Sequence, residues 1–200
     1  MLVSIRHRLV ILAMPKCASS ALEEALASKV DMVLRGHPRL KHTTFRKYDR
    51  FLRPYLEGYT DAPLEVVSLF RHPEDWLHSW WRYRRRHDLA HQENTTRHMS
   101  FDSFVAAYLD GERKPADVGR QSRFVSDKTG RIAVNRLFRY DQIEVMIGFL
   151  QERLETQICL ERLNTSPPAP WLGGRLSTST RTALKTALAT DYEIHASIAA

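Results

Sequence analysis

The stretch that most constrains this chain is Leu9 to Leu26. An apolar run of six residues, Leu9-Val10-Ile11-Leu12-Ala13-Met14, is followed by Pro15-Lys16-Cys17-Ala18-Ser19-Ser20 and then by residues with helical spacing. It reads as a strand, a short turn and a helix N-terminus. The first turn of a helix leaves backbone N–H groups unpartnered and carries a partial positive charge, so a loop feeding it is a cradle for phosphate or sulfate. Lys16 adds a point charge, and Ser19 and Ser20 add donors. A plainer reading stands beside this one: Ser19 or Ser20 caps the helix, Glu23 is the capping-box partner of Ser20, and Lys16 is solvated.

Further along, Ala18 to Ser28 has helical spacing with Leu22, Ala25 and Leu26 on one face, and Asp31 to Leu34 is a short second strand. Thr43 or Thr44 caps a helix to about Leu56 whose apolar stripe is Phe45, Tyr48, Phe51 and Leu52. Glu65 to Phe70 is a β-branched strand, and Pro73 suits the first position of a helix to about Arg86. Repeated strand-to-helix units predict a three-layer α/β/α domain around a central parallel sheet, spanning residues 1 to 200 as one domain. His87 to Ser100 reads as a polar connection or lid, Phe101 to Leu109 as a short helix and Asp110 to Asp117 as a surface loop. Arg131 to Arg139 reads as a strand, Asp141 to Glu155 as an amphipathic helix and Gln157 to Leu160 as a last strand. Pro167-Pro168-Ala169-Pro170 and Gly173-Gly174 mark a loop, and the chain is largely helical from Ser177.

A net charge of +7 points to an anionic partner without choosing among nucleic acid, acidic polysaccharide, membrane surface or phosphorylated cofactor. Two cysteines, Cys17 and Cys159, cannot build a disulfide framework, and no cluster has zinc-ligand spacing. The apolar run of six residues is too short for a signal-peptide core or a membrane span, so a cytoplasmic location is the expectation.

A second constellation is Arg71-His72-Pro73 through Ser79. Arg71 falls at the carboxyl end of a strand and Ser79 eight residues on, about two turns into the following helix. In open parallel sheets, ligands bind beyond the carboxyl ends of strands, where both Arg71 and the first loop are expected. Arg71 can fork onto a phosphate, or pair locally with Glu74 or Asp75 while Ser79 packs within the helix.

With both segments in view, the chain resembles the sulfotransferases that use 3′-phosphoadenosine-5′-phosphosulfate (PAPS), in particular compact bacterial and carbohydrate-type members. Pro15-Lys16-Cys17-Ala18-Ser19-Ser20-Ala21-Leu22 is similar to that family's 5′-phosphosulfate loop, and Phe70-Arg71-His72-Pro73 through Ser79 to its 3′-phosphate motif. Gly130 to Asp141, Asn164-Thr165-Ser166 and Asp191-Tyr192-Glu193 are similar to further family features. The chain departs from the aryl and steroid branch, which has glycines and a tryptophan in the first loop where Cys17-Ala18 and Ala21-Leu22 stand here. The resemblance implies a P-loop-like fold and transfer of a sulfuryl group from PAPS to an acceptor hydroxyl or amine, with a small molecule or saccharide as acceptor. It implies Lys16 as the stabiliser of the leaving phosphate oxygen, Pro15 to Ala21 around the 5′-phosphate, and Arg71 with Ser79 on the 3′-phosphate. Of nine histidines, His42 is the leading candidate for the base, His37 the second, and His72 local to its turn. No metal and no nucleic acid are expected.

Two rivals come from other classes. A P-loop kinase needs Gly-x-x-x-x-Gly-Lys-[Ser/Thr], whereas this loop has no glycine and places its lysine at the entrance. A polyanion- or nucleic-acid-binding module is motivated by Trp76, Trp80, Trp81 and Tyr83 beside Arg82, Arg84, Arg85 and Arg86; the same residues also read as tryptophans packed inward under snorkelling arginines.

Overall fold

A computed structural model describes residues 1–111, 114, 116–160 and 174–199. The chain divides into two compact units, one comprising Met1–Arg71, Arg120–Leu163 and His195–Ala200, the other His72–Gly119 and Asn164–Ile194.

The first unit is built on a five-stranded sheet: β1 (Leu2–Ser4), β2 (Leu9–Leu12), β3 (Met32–Val33), β4 (Glu65–Phe70) and β5 (Arg136–Arg139), in the order β3-β1-β2-β4-β5. β2 is buried along its whole length and β4 at every residue but Glu65, as the near-continuous apolar sequence of both requires of central strands. β2 pairs parallel with β4, Leu9 opposite Glu65 and Leu12 opposite Ser68, and β4 pairs parallel with β5, Phe70 opposite Arg139. The carboxyl ends of these three strands therefore share one edge, and from it leave Ala13 to Cys17, Arg71 and Tyr140. The sheet is mixed, however, and not parallel as expected. β1 runs antiparallel to both β2 and β3 and sits between them. Leu2 to Ser4 forms a hairpin with β2 through Ile5 to Arg8, a turn in which Arg8 adopts φ 49° and donates its N–H to Ile5 O at 3.0 Å. The sequence carries no Gly, Asn or Asp at that left-handed position to announce the turn.

Helix α1 (Ser19–Leu26) follows β2 and buries Ala21, Leu22 and Leu26. Next come α2 (Pro38–Lys41) and α3 (Phe45–Lys47), continued by a π-turn at Tyr48–Leu52 into α4 (Arg53–Glu57). The expected stripe holds at the buried Phe45 and Tyr48 and fails at Phe51, which is 64% exposed. The π-turn has more residues per turn than an α-helix, so the inward face shifts along it, leaving Phe51 outside and burying Leu56.

The second unit contributes α5 (Pro73–Arg84), with Pro73 at its start, and α6 (Phe101–Leu109). The remaining helices in chain order are α7 (Gln121–Val125) and α8 (Ile143–Arg153) of the first unit, then α9 (Thr178–Ala187) and α10 (Ala189–Ser197). The segment from His87 to Ser100 is not a loose connection: Thr96 is fully buried, its hydroxyl donates to Trp81 O at 2.7 Å, and Arg85 Nη1 donates to Thr96 O and Met99 O. Gln157 to Leu160 is not a strand; Ile158 is buried, but its N–H donates to the side chain of Gln151 at 3.0 Å instead of to a neighbouring strand. Asn164-Thr165-Ser166, Pro167 to Pro170 and Gly173 lie outside the described residues.

Candidate functional site

The loop at the end of β2 has an unusual backbone for a sequence without glycine. Lys16 and Ala18 both occupy the left-handed region, at φ 65° and 52°, on either side of Cys17, which is 1% exposed. Non-glycine residues there cost roughly 1–2 kcal/mol each, so the surroundings must hold them. Ala18 is the N-cap of α1 and supplies no side-chain cap. The ladder of the helix begins with Leu22 N donating to Ala18 O at 3.0 Å, which puts the N–H groups of Ser19, Ser20 and Ala21 in the orphan first turn. The capping box expected at Ser20 and Glu23 does not form. Lys41 takes both instead, its Nζ donating to Ser20 Oγ at 3.1 Å and lying 2.8 Å from Glu23 Oε2.

Arg71 is joined to this loop. Its Nη1 donates to Lys16 O at 2.9 Å, and its guanidinium lies 4.1 Å from the ring centroid of Tyr140, the residue after β5. Gln121, on α7 and 1% exposed, fixes the main chain of Arg71 from both sides: Oε1 accepts from Arg71 N at 2.9 Å and Nε2 donates to Arg71 O at 2.7 Å. The same Oε1 accepts from Cys17 Sγ at 3.8 Å, so one buried amide ties the strand-end arginine to the turn. Tyr140 falls in the stretch Gly130 to Asp141 already singled out, whereas Gln121 does not stand out in the sequence and only its burial reveals it.

His42 is anchored to the same strand end. Its Nδ1 is 2.7 Å from Ala13 O, and since a carbonyl can only accept, Nδ1 is the donor and the neutral ring keeps its lone pair on Nε2. Burial lowers the pKa of His42 below 6.5, against the smaller raising effect of that hydrogen bond. His37 does different work: exposed, it caps α2 by accepting from Arg39 N at 3.2 Å. Lys16, Cys17, Arg71 and His42 are thus brought to one strand-end edge of the first unit, with Pro15, Ser19, Ser20 and Ala21 on the loop and helix start. Ser79 lies half-buried on α5 of the second unit. His72, exposed, is the N-cap of α5 and packs edge-on against Tyr192 at 5.3 Å.

In the second unit the arginine run is engaged with its own helix and with the chain that follows. Trp76 and Trp81 are buried and offer no open face for stacking. The guanidinium of Arg84 lies 5.3 Å from the ring of Trp80 and that of Arg85 lies 4.7 Å from Trp81, while Arg84 Nη2 donates to Asp117 O at 3.1 Å. Among the described residues no group of three or more His, Cys, Asp or Glu side chains is placed to hold a metal ion, and no helix is long and apolar enough to cross a membrane. In comparisons with known proteins the chain matches no protein-family profile, no curated protein and no solved structure.

Proposed function

We propose that this chain is a PAPS-dependent sulfotransferase of P-loop-like, three-layer architecture, acting on a hydroxyl or amine of a small molecule or saccharide. The observation that carries the reading is the bond from Arg71 to the carbonyl of Lys16, which links the two segments that resemble the family's nucleotide motifs. The donor set suits a nucleotide with phosphates at both ends: an uncapped helix start with Lys16 beside it, and a guanidinium whose position is set by Gln121 and Tyr140. When bound, PAPS supplies an activated sulfuryl group, whose bond to the 5′-phosphate oxygen is replaced by a bond to the acceptor.

The chain's own residues then have two tasks. Lys16, a compact ammonium, stabilises the charge that gathers on the departing phosphate oxygen. His42, neutral at pH 7 with Nε2 open, takes the acceptor's proton. Arg71 holds the 3′-phosphate that distinguishes this nucleotide from ADP.

Titration calorimetry with 3′,5′-adenosine bisphosphate tests the reading. Wild type is expected to bind without added metal, and Arg71→Ala to bind about 10- to 100-fold more weakly, the size of a lost charge-assisted hydrogen bond. Lys16→Ala is expected to lower turnover about 10²- to 10³-fold, the size of one lost electrostatic donor. Absence of binding by wild type would sink the proposal.

A further inference from the structure

A second surface lies on the helical run of the first unit, outside the loop and its partners. The π-turn at Tyr48–Leu52 turns Phe51 outward, and Tyr55 and Tyr59 follow it at intervals of four residues, the three being 64%, 62% and 65% exposed. Grouped large apolar side chains on a surface mark contact sites, and π-turns recur where helices carry function. The charge around the rings is net positive. Four cations, Arg46, Lys47, Arg50 and Arg53, stand against two carboxylates, Asp49 and Glu57, between residues 45 and 59. Arg53 is paired with both, at 2.5 Å from Asp49 and 3.8 Å from Glu57. Arg46, Lys47 and Arg50 are exposed and join no ion pair among the described residues, although Arg46 Nε donates to Asp127 O at 2.8 Å.

We propose that the row of Phe51, Tyr55 and Tyr59, with Arg46, Lys47 and Arg50 beside it, docks an acidic polypeptide segment carrying apolar side chains. Charge argues against a second copy of this chain, which would bring unopposed cations against the same cations. The row is roughly 12 Å long at helical rise, the reach of a short linear segment. Ring geometry argues against a stacked polymer. Single-stranded nucleic acid stacks on open aromatic faces, whereas Tyr55 and Tyr59 meet edge to face, with centroids 5.3 Å apart and planes at 66°, and Arg50 lies 5.0 Å from the centroid of Phe51. Aliphatic or aromatic side chains pack against such rings while carboxylates reach the cations. The proposal is independent of the nucleotide reading.

The test is selection from a random dodecapeptide library displayed on phage, followed by fluorescence anisotropy with the selected peptides. Enrichment of Asp and Glu together with Leu, Phe or Trp is expected. Binding should weaken at least about tenfold, ~1.4 kcal/mol, in Phe51→Ser/Tyr55→Ser/Tyr59→Ser and again in Arg46→Glu/Lys47→Glu/Arg50→Glu, and should weaken with salt. All six side chains are exposed, so circular dichroism is expected to be unchanged; if a triple variant does not fold, Tyr55→Ser and Lys47→Glu replace it. No selected peptide, peptides without acidic residues, or affinity indifferent to both sets of substitutions overturns the proposal. So does binding of oligothymidylate or heparin fragments through these residues where acidic peptides fail.

Discussion

Helices α6 and α9 begin on a serine whose hydroxyl closes the first turn: Ser100 Oγ accepts from Ser103 N at 3.0 Å, and Ser177 Oγ from Thr180 N at 3.2 Å. Helix α1 has two serines at its start and uses neither, opening on Ala18 at φ 52° without a side-chain cap. A serine cap contributes about 1 kcal/mol, and a left-handed alanine costs roughly 1–2 kcal/mol. The same chain therefore uses a serine cap at two helices and leaves its serines unused at α1, as it leaves Thr44 unused at α3. A broken local rule inside well-ordered surroundings is the usual mark of a site shaped for something other than stability. The start of α1 also differs from those of α6 and α9 in what attends it, namely a histidine, an arginine and a buried glutamine.

The comparison is most exposed to challenge at His42. If the histidine serves the uncapped end as a base, His42→Ala lowers turnover by about 10²- to 10⁴-fold. In wild type, kcat/KM is then expected to be flat above pH 6.5 and to fall as pH drops through the lowered pKa of His42. Stability carries the same sign. The unfolded chain takes up this proton near pH 6.5 before the folded chain does, so the contribution is complete above pH 6.5 and declines below it. An acidic limb that persists in His42→Ala would break the assignment.

Gln121→Ala comes next in size. It leaves Arg71 N and Arg71 O without the amide that pairs them, and a loss of about 2–3 kcal/mol, or roughly 4–12 °C in a thermal scan, is expected. Ser100→Ala and Ser177→Ala should each cost about 1 kcal/mol in denaturant titrations, whereas Ser19→Ala should cost less than about 0.5 kcal/mol while weakening bisphosphate binding. Equal costs at Ser19 and Ser100 would erase the distinction. The smallest effect belongs to Ala18→Gly, which relieves the left-handed backbone and should stabilise by about 0.5 kcal/mol, since glycine returns part of the gain as unfolded-state entropy.

Much of this was legible where one signal dominated. The continuous apolar runs gave away β2 and β4, Pro73 marked the start of α5, and helical spacing located α1 and α6. β1 escaped because three residues are too few for a pattern and its turn places an arginine where the usual turn residues are absent. Phe51 was misplaced because a helical wheel assumes a constant period, and the π-turn breaks it. At the site, Lys16 and Arg71 follow from chain position at strand ends. Their joint anchor could not be read, because Gln121 earns its place only by meeting a residue 50 positions away. His42 and His37 look alike in sequence and part only in space, one against Ala13 O and the other capping its own helix.

The position of β1 bears finally on the order in which the molecule can assemble. β2 and β3 are joined through α1, yet no bond runs directly between them; β3 pairs with β1 alone. A two-residue strand has too few bonds to persist by itself, so Met32 and Val33 have nothing to dock on until the β1–β2 hairpin has closed. Hairpins close in microseconds, which makes the earliest residues of this chain the template on which its first crossover is laid down.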